Sequence, residues 1–132
     1  AVCSLTAALA DLVDEGKLTP RKTDDTYTFQ DPFALARDLE ETQCAREVLA
    51  RCGTIREMLL HGKDTMAAGS LLMREYMPTA IDTVASRRWI DAKNSGAQTL
   101  VTASPAEYAC LAAVKPSDMN LMTIEEVILK CL

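Results

Sequence analysis

The feature that most constrains this sequence is an alternation of helical and strand patterns, with connections too long for β-hairpins. Apolar residues at helical spacing run over 4–15, and a β-branched and aromatic run follows at 26–30. A long helical pattern spans 78–96, and another spans 105–113. Strands separated by helices pair in parallel, so the sequence predicts an α/β fold. We expect a three-layer arrangement, with a mainly parallel sheet of about four strands and helices on both faces.

The remaining predicted elements place the connecting loops. They are a helix at 39–51, strands at 54–60, 99–103 and 120–123, and a last helix at 123–129. In a parallel sheet, ligands bind beyond the carboxyl ends of the strands. Three loops have that position, namely 31–33, 66–70 and 104–107, and we expect any site to lie there.

Charge and composition exclude several functional classes. The 132 residues suffice for one domain with its own core, and 14 Lys and Arg against 19 Asp and Glu give a net charge of −5. Neutralisation of phosphates supplies most nucleic-acid affinity, so we expect no nucleic-acid partner. No apolar run is long enough to span a bilayer. The first residue is Ala rather than Met and no signal peptide is evident, so we interpret the chain as a piece of a longer protein.

Five cysteines are present, and their spacing argues against both disulfides and a zinc site. No CxxC occurs, and an odd number cannot all pair. We expect reduced, buried thiols in a cytosolic protein. An alternative is a rearranged metal or cluster site that uses Cys44, Cys52 or Cys110. The remaining two are Cys3 and Cys131.

Catalytic motifs are absent from the sequence. There is no GxGxxG, phosphate-binding loop, GxSxG or HExxH. The single histidine, His61, stands in a polar turn and is expected to be solvated. An independent enzyme is the weakest hypothesis, because a nucleophile such as Ser104 would need a base and His61 belongs to another loop. Arg87 and Arg88, beside Trp89, are expected in cation–π packing or on a solvated face rather than in anion recognition.

Three segments resemble a known family. Residues 28–32, T-F-Q-D-P, resemble the T-x-H-D-P-C segment of the cysteine-rich CCG domain. Residues 96–105, G-A-Q-T-L-V-T-A-S-P, are similar to that family's G-A-x-x-L-V-T-x-C-P, and residues 14–18, D-E-G-K-L, resemble its E-E-G-K-L. The domain occurs in heterodisulfide reductase subunits, the glycolate oxidase iron–sulfur subunit and anaerobic glycerol-3-phosphate dehydrogenase subunits. The likeness covers nearly all of residues 1–132 and implies a single CCG-type domain, which we expect to be a C-terminal fragment of a longer iron–sulfur protein.

The family's cluster ligands are a cysteine, a Cys-Cys pair and a C-x-x-C. Thirty-three residues separate Phe33 from Ala67, and thirty-five follow Ala68 before Ser104, so the family's spacing is kept without insertion or deletion. None of the five cysteines stands at a ligand position, which the resemblance assigns to Phe33, Ala67, Ala68, Ser104 and Glu107. Phenylalanine and alanine cannot bind metal, and two oxygen ligands are too few for a closed site. The resemblance therefore implies a degenerate copy without its own cofactor.

The resemblance also suggests what surrounds the lost site. We expect an apolar patch in its place, formed by Phe33, Met66, Ala67, Ala68, Pro105 and Ala106. Burial of that patch would stabilise by about 25 cal/mol per Å².

The resemblance implies a non-catalytic structural or docking domain of an iron–sulfur electron-transfer oxidoreductase. Its partners would be a sister domain or other subunits of that complex, with 4Fe–4S clusters elsewhere in the longer protein. We expect a location in the cytoplasm, either free or at the cytoplasmic face of a membrane complex. The alternative is a small-molecule or anion-binding domain that reuses the strand-end cleft, with Ser70, Ser104 and Glu107 as polar contacts.

Overall fold

A computed structural model describes all 132 residues and contains one four-stranded sheet with every strand parallel. The predicted α/β class, with helices on both faces of a parallel sheet, is confirmed. The strands are β1 (Thr26–Gln30), β2 (Thr54–Ile55), β3 (Thr99–Thr102) and β4 (Asn120–Thr123). The helices are α1 (Leu5–Asp14), α2 (Cys44–Cys52), α3 (Leu71–Tyr76), α4 (Pro78–Asn94), α5 (Pro105–Ala113) and α6 (Ile124–Cys131). A π-helical turn, Ala34–Asp38, and a short 3-10 helix, Gly62–Asp64, complete the chain.

The sheet separates two hydrophobic cores. Side chains alternate across a strand, so Phe29 and Val101 join the core formed with α1, α2 and α6. Leu100 joins the other core, which contains residues of α4 and α5. In that second core, the indole Nε1 of Trp89 donates a hydrogen bond to the carbonyl of Leu111, 2.9 Å away, which links α4 to α5.

The strand order β2-β1-β3-β4 places the predicted loops together. From β1 the chain moves to one side of the sheet to form β2, and it returns to the other side to form β3. The order therefore reverses between β1 and β3, where the connections leave the sheet in opposite directions and ligands commonly bind. Gln30 pairs with Thr102 at this end of the two strands, so loops 31–33 and 104–107 start side by side.

Local signals predict most element bounds, and tertiary contacts account for the two largest differences. The predicted strand 54–60 is only Thr54–Ile55, because Glu57 forms an ion pair with Arg46 of α2 and Met58 enters the second core. The predicted helix 39–51 begins at Cys44. Before it, the Glu41 carboxylate accepts hydrogen bonds from the hydroxyls of Ser4 and Thr6, and this segment is not helical.

Helix α3 is absent from the sequence prediction. Ser70 caps it, with its hydroxyl oxygen accepting a hydrogen bond from the nitrogen of Met73 at 3.4 Å. The six-residue helix buries none of its side chains, so its sequence has no apolar periodicity that would predict a helix. No helix of the protein has the length and apolar character needed to cross a membrane.

Candidate functional site

A buried hydrogen-bond network joins the loops at the carboxyl ends of β1 and β3. The Glu107 Oε2 atom accepts hydrogen bonds from the backbone nitrogen of Ala68 at 3.0 Å and from Nε2 of Gln30 at 2.7 Å. The same Gln30 Nε2 donates to the carbonyl of Met66 at 2.7 Å. Gln30 ends β1, Met66 and Ala68 belong to loop 66–70, and Glu107 belongs to loop 104–107. The predicted loops therefore lie together.

Glu107 is an unusual carboxylate because it is only 6% exposed. Burial raises its pKa above the ordinary value, and hydrogen bonds from the Ala68 amide, the Gln30 side chain and the Phe33 amide partly offset that effect. The charge of Arg88 acts in the same direction as these hydrogen bonds. The carboxylate is thus a structural acceptor whose ionisation is costly.

Arg88 extends this network through Gln30 and is only 1% exposed. Its Nε donates to Oε1 of Gln30, one Nη donates to the carbonyl of Leu60 at 2.6 Å, and the other pairs with Asp91 at 3.2 Å. Burial lowers the pKa of this guanidinium, and Asp91 opposes the shift. The expected cation–π packing or solvated face for Arg88 is wrong. Its spacing with Ala85 and Ala92, on the core side of α4, was the signal for burial.

A second network holds loop 31–33 to α2. Arg46 donates to both carboxylate oxygens of Asp31, at 2.6 and 2.8 Å, and to Glu57 at 2.8 Å. Asp31 is fully buried and also accepts from the nitrogen of Gly62 at 2.8 Å. Burial acts to lower the pKa of Arg46, but the two carboxylates outweigh it and the pKa is raised. No local sequence pattern predicts this pairing.

The five residues at the family's ligand positions offer no ligand set for a cluster. Phe33 is exposed, with the Arg37 guanidinium 4.6 Å from its ring centroid, and Ala68 is fully buried. Ser104 caps α5, its hydroxyl oxygen accepting from the Glu107 nitrogen at 3.3 Å. No group of three or more His, Cys, Asp or Glu side chains lies where it could hold a metal ion. Thiolate ligation is what an iron–sulfur cluster requires, and the residues here do not fit one.

All five cysteines are free thiols, and Cys110 packs against Gly69 of loop 66–70. Cys52 and Cys131 are buried together in the first core, and burial raises the pKa of Cys52 to about 12. Cys110 is buried on α5 in the opposite helical layer, and Cys44 is half-buried. The prediction that the cysteines are buried is wrong for Cys3, which is exposed at the start of the chain. A site combining Cys52 with Cys110 would have to cross the sheet.

The small residues of loop 66–70 serve close packing. Gly69 has a φ of +140°, and a Cβ atom there would lie 2.7 Å from Cβ of Cys110. Ala68, beside it, is fully buried in the second core. The loop and α5 are therefore in direct contact, and this contact requires small residues in the loop.

An exposed apolar surface adjoins the network. Part of the expected patch is present, since Phe33, Met66, Ala67 and Pro105 are exposed, but Ala68 is buried and Ala106 is half-buried. Beyond Met66 the apolar exposure continues along α3, where Leu72 is 66% and Tyr76 is 76% exposed. We call the exposed side chains of this helix and its end the α3 surface, formed by Leu71, Leu72, Met73, Tyr76 and Met77.

The other candidate residues have structural contacts. Ser70 and Ser104 both cap helices, and the Glu107 carboxylate is held by the network, so each of the three proposed cleft contacts already has a hydrogen-bond partner. His61 is exposed, as expected, and its Nδ1 lies 2.6 Å from the carbonyl of Met58. His61 and Ser104 share no hydrogen bond.

Comparison of the chain with protein-family models, with curated proteins and with solved structures finds no match in any of the three. Its function is therefore inferred from the motifs and from the geometry of the strand-end loops.

Proposed function

We propose that this chain is a degenerate cysteine-rich domain of the CCG type that has lost its cluster. It acts as a structural or docking domain in an iron–sulfur electron-transfer oxidoreductase resembling heterodisulfide reductase or glycolate oxidase subunits. In this proposal the clusters belong to other parts of the longer protein or to its partner subunits, and the complex works in the cytoplasm or at the cytoplasmic face of a membrane.

One observation carries the proposal. Ala68 and Glu107, two positions that the resemblance makes cluster ligands 39 residues apart, are in direct contact through a 3.0 Å hydrogen bond. This contact supports the proposal, because the resemblance makes both positions ligands of one cluster. The residues at that place link the loops by hydrogen bonds, whereas a cluster would link them by metal–thiolate bonds.

The α3 surface supports the docking part of the proposal. A six-residue helix without buried side chains is marginal on its own, and its exposed residues are mostly large and apolar. Phe33 and Met66, in the neighbouring loops, are further large apolar residues that are exposed, and exposed apolar surface is typical of interaction sites. The surface adjoins the degenerate loops, where the cluster-bearing partner of such an oxidoreductase would bind.

Restoration of the ligands tests the lost-cluster part. The wild type, reconstituted anaerobically with ferrous iron and sulfide, should remain colourless. A variant with Phe33→Cys, Ala67→Cys, Ala68→Cys, Ser104→Cys and Glu107→Cys should acquire iron–sulfur absorbance and stoichiometric iron. A matched control keeps Ala67 and Ala68, leaving three new thiols and no complete ligand set. A cluster on the wild type, or a folded five-cysteine variant that stays colourless, contradicts the proposal.

The docking part is tested in the organism of origin with the full-length protein. A tagged protein should co-purify with a partner that contains 4Fe–4S clusters, identified by mass spectrometry and iron content. Leu72→Glu with Tyr76→Glu should abolish this association. The control is Leu129→Glu, an exposed leucine on α6 in the opposite helical layer. Retention of the partner by the α3 variant, or a partner without iron and sulfide, would refute the docking assignment.

A further inference from the structure

Strand β4 forms one edge of the sheet and has backbone groups that pair with no other strand. The strand order places β3 on one side of β4 and no strand on the other. The backbone nitrogen of Asn120 donates to the carbonyl of Gln98 at 3.1 Å, so the N–H and C=O groups of Asn120 point towards β3. Successive residues of a strand alternate in this direction, so the N–H and C=O groups of Leu121 point away from the sheet. β4 lacks the charged residues and prolines that protect many edge strands from pairing.

Helix α5 has an uncharged surface beside this edge. Its one charged residue, Glu107, is buried, and none of its exposed side chains is charged. A helix that is apolar all round is normally covered on all sides. Tyr108 lines a small cavity together with Thr123 of β4, so this side of α5 faces the β4 edge. The exposed residue Ala112 lies one turn further along the same side of the helix.

Helix α6 brings a large apolar residue to the same edge in the other helical layer. Lys130 forms an ion pair with Asp25, which precedes β1, so this side of α6 faces the middle of the sheet. Glu125 instead lines the cavity next to β4. Leu129 lies one turn after Glu125 on that side of the helix and is 69% exposed. The edge is thus flanked by an exposed apolar residue in each helical layer.

The free backbone groups of Leu121 suit a second copy of the chain. A residue that presents both a donor and an acceptor can form a hydrogen-bonded antiparallel pair with its own counterpart across a two-fold axis. Helix α6 contacts both β3 and β4. Such an axis would therefore set the two α6 helices about 10 Å apart, which is twice the strand spacing of about 4.8 Å. Helices commonly pack at about 8–10 Å, so the sheet can continue across the axis without separating the helices.

The position of Leu129 along α6 fits the same axis. Leu121 lies two residues before the end of β4, which is about 7 Å along the strand. Helix α6 turns back from that end, and at about 1.5 Å per residue it reaches the same height after about four or five residues, at Ile128 or Leu129. Ile128 is buried, so Leu129 is the exposed apolar residue at this height. It would meet its own counterpart next to the axis, a match that favours a second copy over an unrelated peptide.

We propose that two copies of the chain form a two-fold dimer through β4, which continues the four-stranded sheet across the axis. The Leu121 backbone groups pair at the axis, Leu129 packs on its counterpart, and Ala112 lets the two α5 helices approach closely. This interface is distinct from the α3 surface. On α5, the residue that contacts Gly69 of the loop before α3 is Cys110, which lies about 200° around the helix from Ala112. The dimer does not depend on the proposed function.

Sedimentation equilibrium of the 132-residue chain measures the association. We expect twice the monomer mass of 14.4 kDa at high protein concentration, with a micromolar Kd. Amide hydrogen exchange then locates the interface, since the Leu121 amide should exchange at least about tenfold more slowly above the Kd than below it. A chain that stays monomeric overturns the proposal, even if a different protein binds at this edge. A dimer whose Leu121 amide is not protected overturns it as well.

Matched variants test the two helices that flank the edge. Ala112→Lys and Leu129→Glu each bring like charges together near the axis, and each should raise the Kd at least about tenfold. The control, Ala113→Lys, adds the same charge as Ala112→Lys at an exposed position about 100° further around α5, and it should leave the Kd unchanged. Unchanged dimerisation in either edge variant would overturn the proposal.

Two further points keep the result decisive. If an edge variant fails to fold, the mass and the Leu121 amide exchange of the wild type decide the outcome. Leu129→Glu should separate the two copies and still retain the partner that binds the α3 surface. Loss of the dimer is therefore distinguishable from failure of the docking assignment.

Discussion

The carboxylate of Glu107 lies 3.0 Å from the backbone nitrogen of Ala68 and closes a link between loops that are 39 residues apart in the chain. The same Oε2 atom is bonded to Gln30, whose side chain also contacts Met66 and Arg88. One buried acidic group thus links the end of β1 to loop 66–70 and to α5. Two stability measurements test this role.

Replacement of Glu107 should destabilise the fold more than replacement of its sequence counterpart. Glu107→Ala leaves the Ala68 amide and the Gln30 side chain without their acceptor, so we expect a loss of about 2 kcal/mol in the free energy of unfolding. Glu126 holds the same position of α6, following a capping Thr123, but is exposed. Glu126→Ala should cost less than about 1 kcal/mol in urea unfolding. Equal losses in the two variants would contradict the role assigned to the network.

The raised pKa of Glu107 predicts a pH dependence with a definite sign. Between the ordinary value of 4.5 and the raised native pKa, the folded state binds more protons than the unfolded state, so the contribution to stability falls as pH rises. The stability of the wild type relative to Glu107→Gln, which cannot titrate, should therefore improve as pH decreases from neutrality to below 4.5. Unfolding midpoints of both proteins over this range measure it. A pH-independent difference would mean that the native pKa is not raised.

The pairing of Asp31 with Arg46 should be a major contribution to stability. Asp31→Asn leaves a largely buried guanidinium with one carboxylate partner fewer, and we expect a loss of about 3 kcal/mol. Asp24→Asn, in an exposed loop, is the matched control and should change stability by less than about 0.5 kcal/mol. Chemical denaturation distinguishes the two cases, and similar midpoints would argue against the buried pair.

Two glycines with positive φ differ in the space around them. A Cβ at Gly69 would meet Cβ of Cys110 at 2.7 Å, whereas a Cβ at Gly62 has nothing within 4 Å. Gly69→Ala should cost at least about 2 kcal/mol, because backbone strain and overpacking add. Gly62→Ala should cost only about 1 kcal/mol, from the left-handed backbone alone. Thermal melting of both variants gives the comparison, and the same loss in each would mean that loop 66–70 can move away from α5.

The sequence predicts those elements whose signals are local. The bounds of β1, α5 and β4 agree with the structure, since Pro105 starts α5 behind a capping serine and β1 is a β-branched and aromatic run before Asp-Pro. The start of α2 and the end of β2 are different. They depend on Glu41 reaching the hydroxyls of Ser4 and Thr6, and on Glu57 reaching Arg46.

The same distinction applies to the candidate site. Its location follows from the parallel sheet, because loops at the carboxyl ends of parallel strands meet at one edge, so the three loops could be placed together from the pattern alone. The chemistry of the site could not be predicted, because the hydrogen-bond partners are distant in sequence. Gln30 binds Arg88, 58 residues away, and Glu107, 77 residues away. No local pattern shows that an arginine on the long helix α4 and a glutamate in the first turn of α5 form hydrogen bonds with the same glutamine.

The packing of Trp89 gives the protein a built-in optical probe. It is the single tryptophan of the chain, and its indole is buried in the core that contains Ala68 and bonded to α5. Fluorescence emission therefore senses only one of the two helical layers. Comparison of its intensity with the circular dichroism of the whole chain would show whether the layer behind the strand-end loops melts together with the other one or before it.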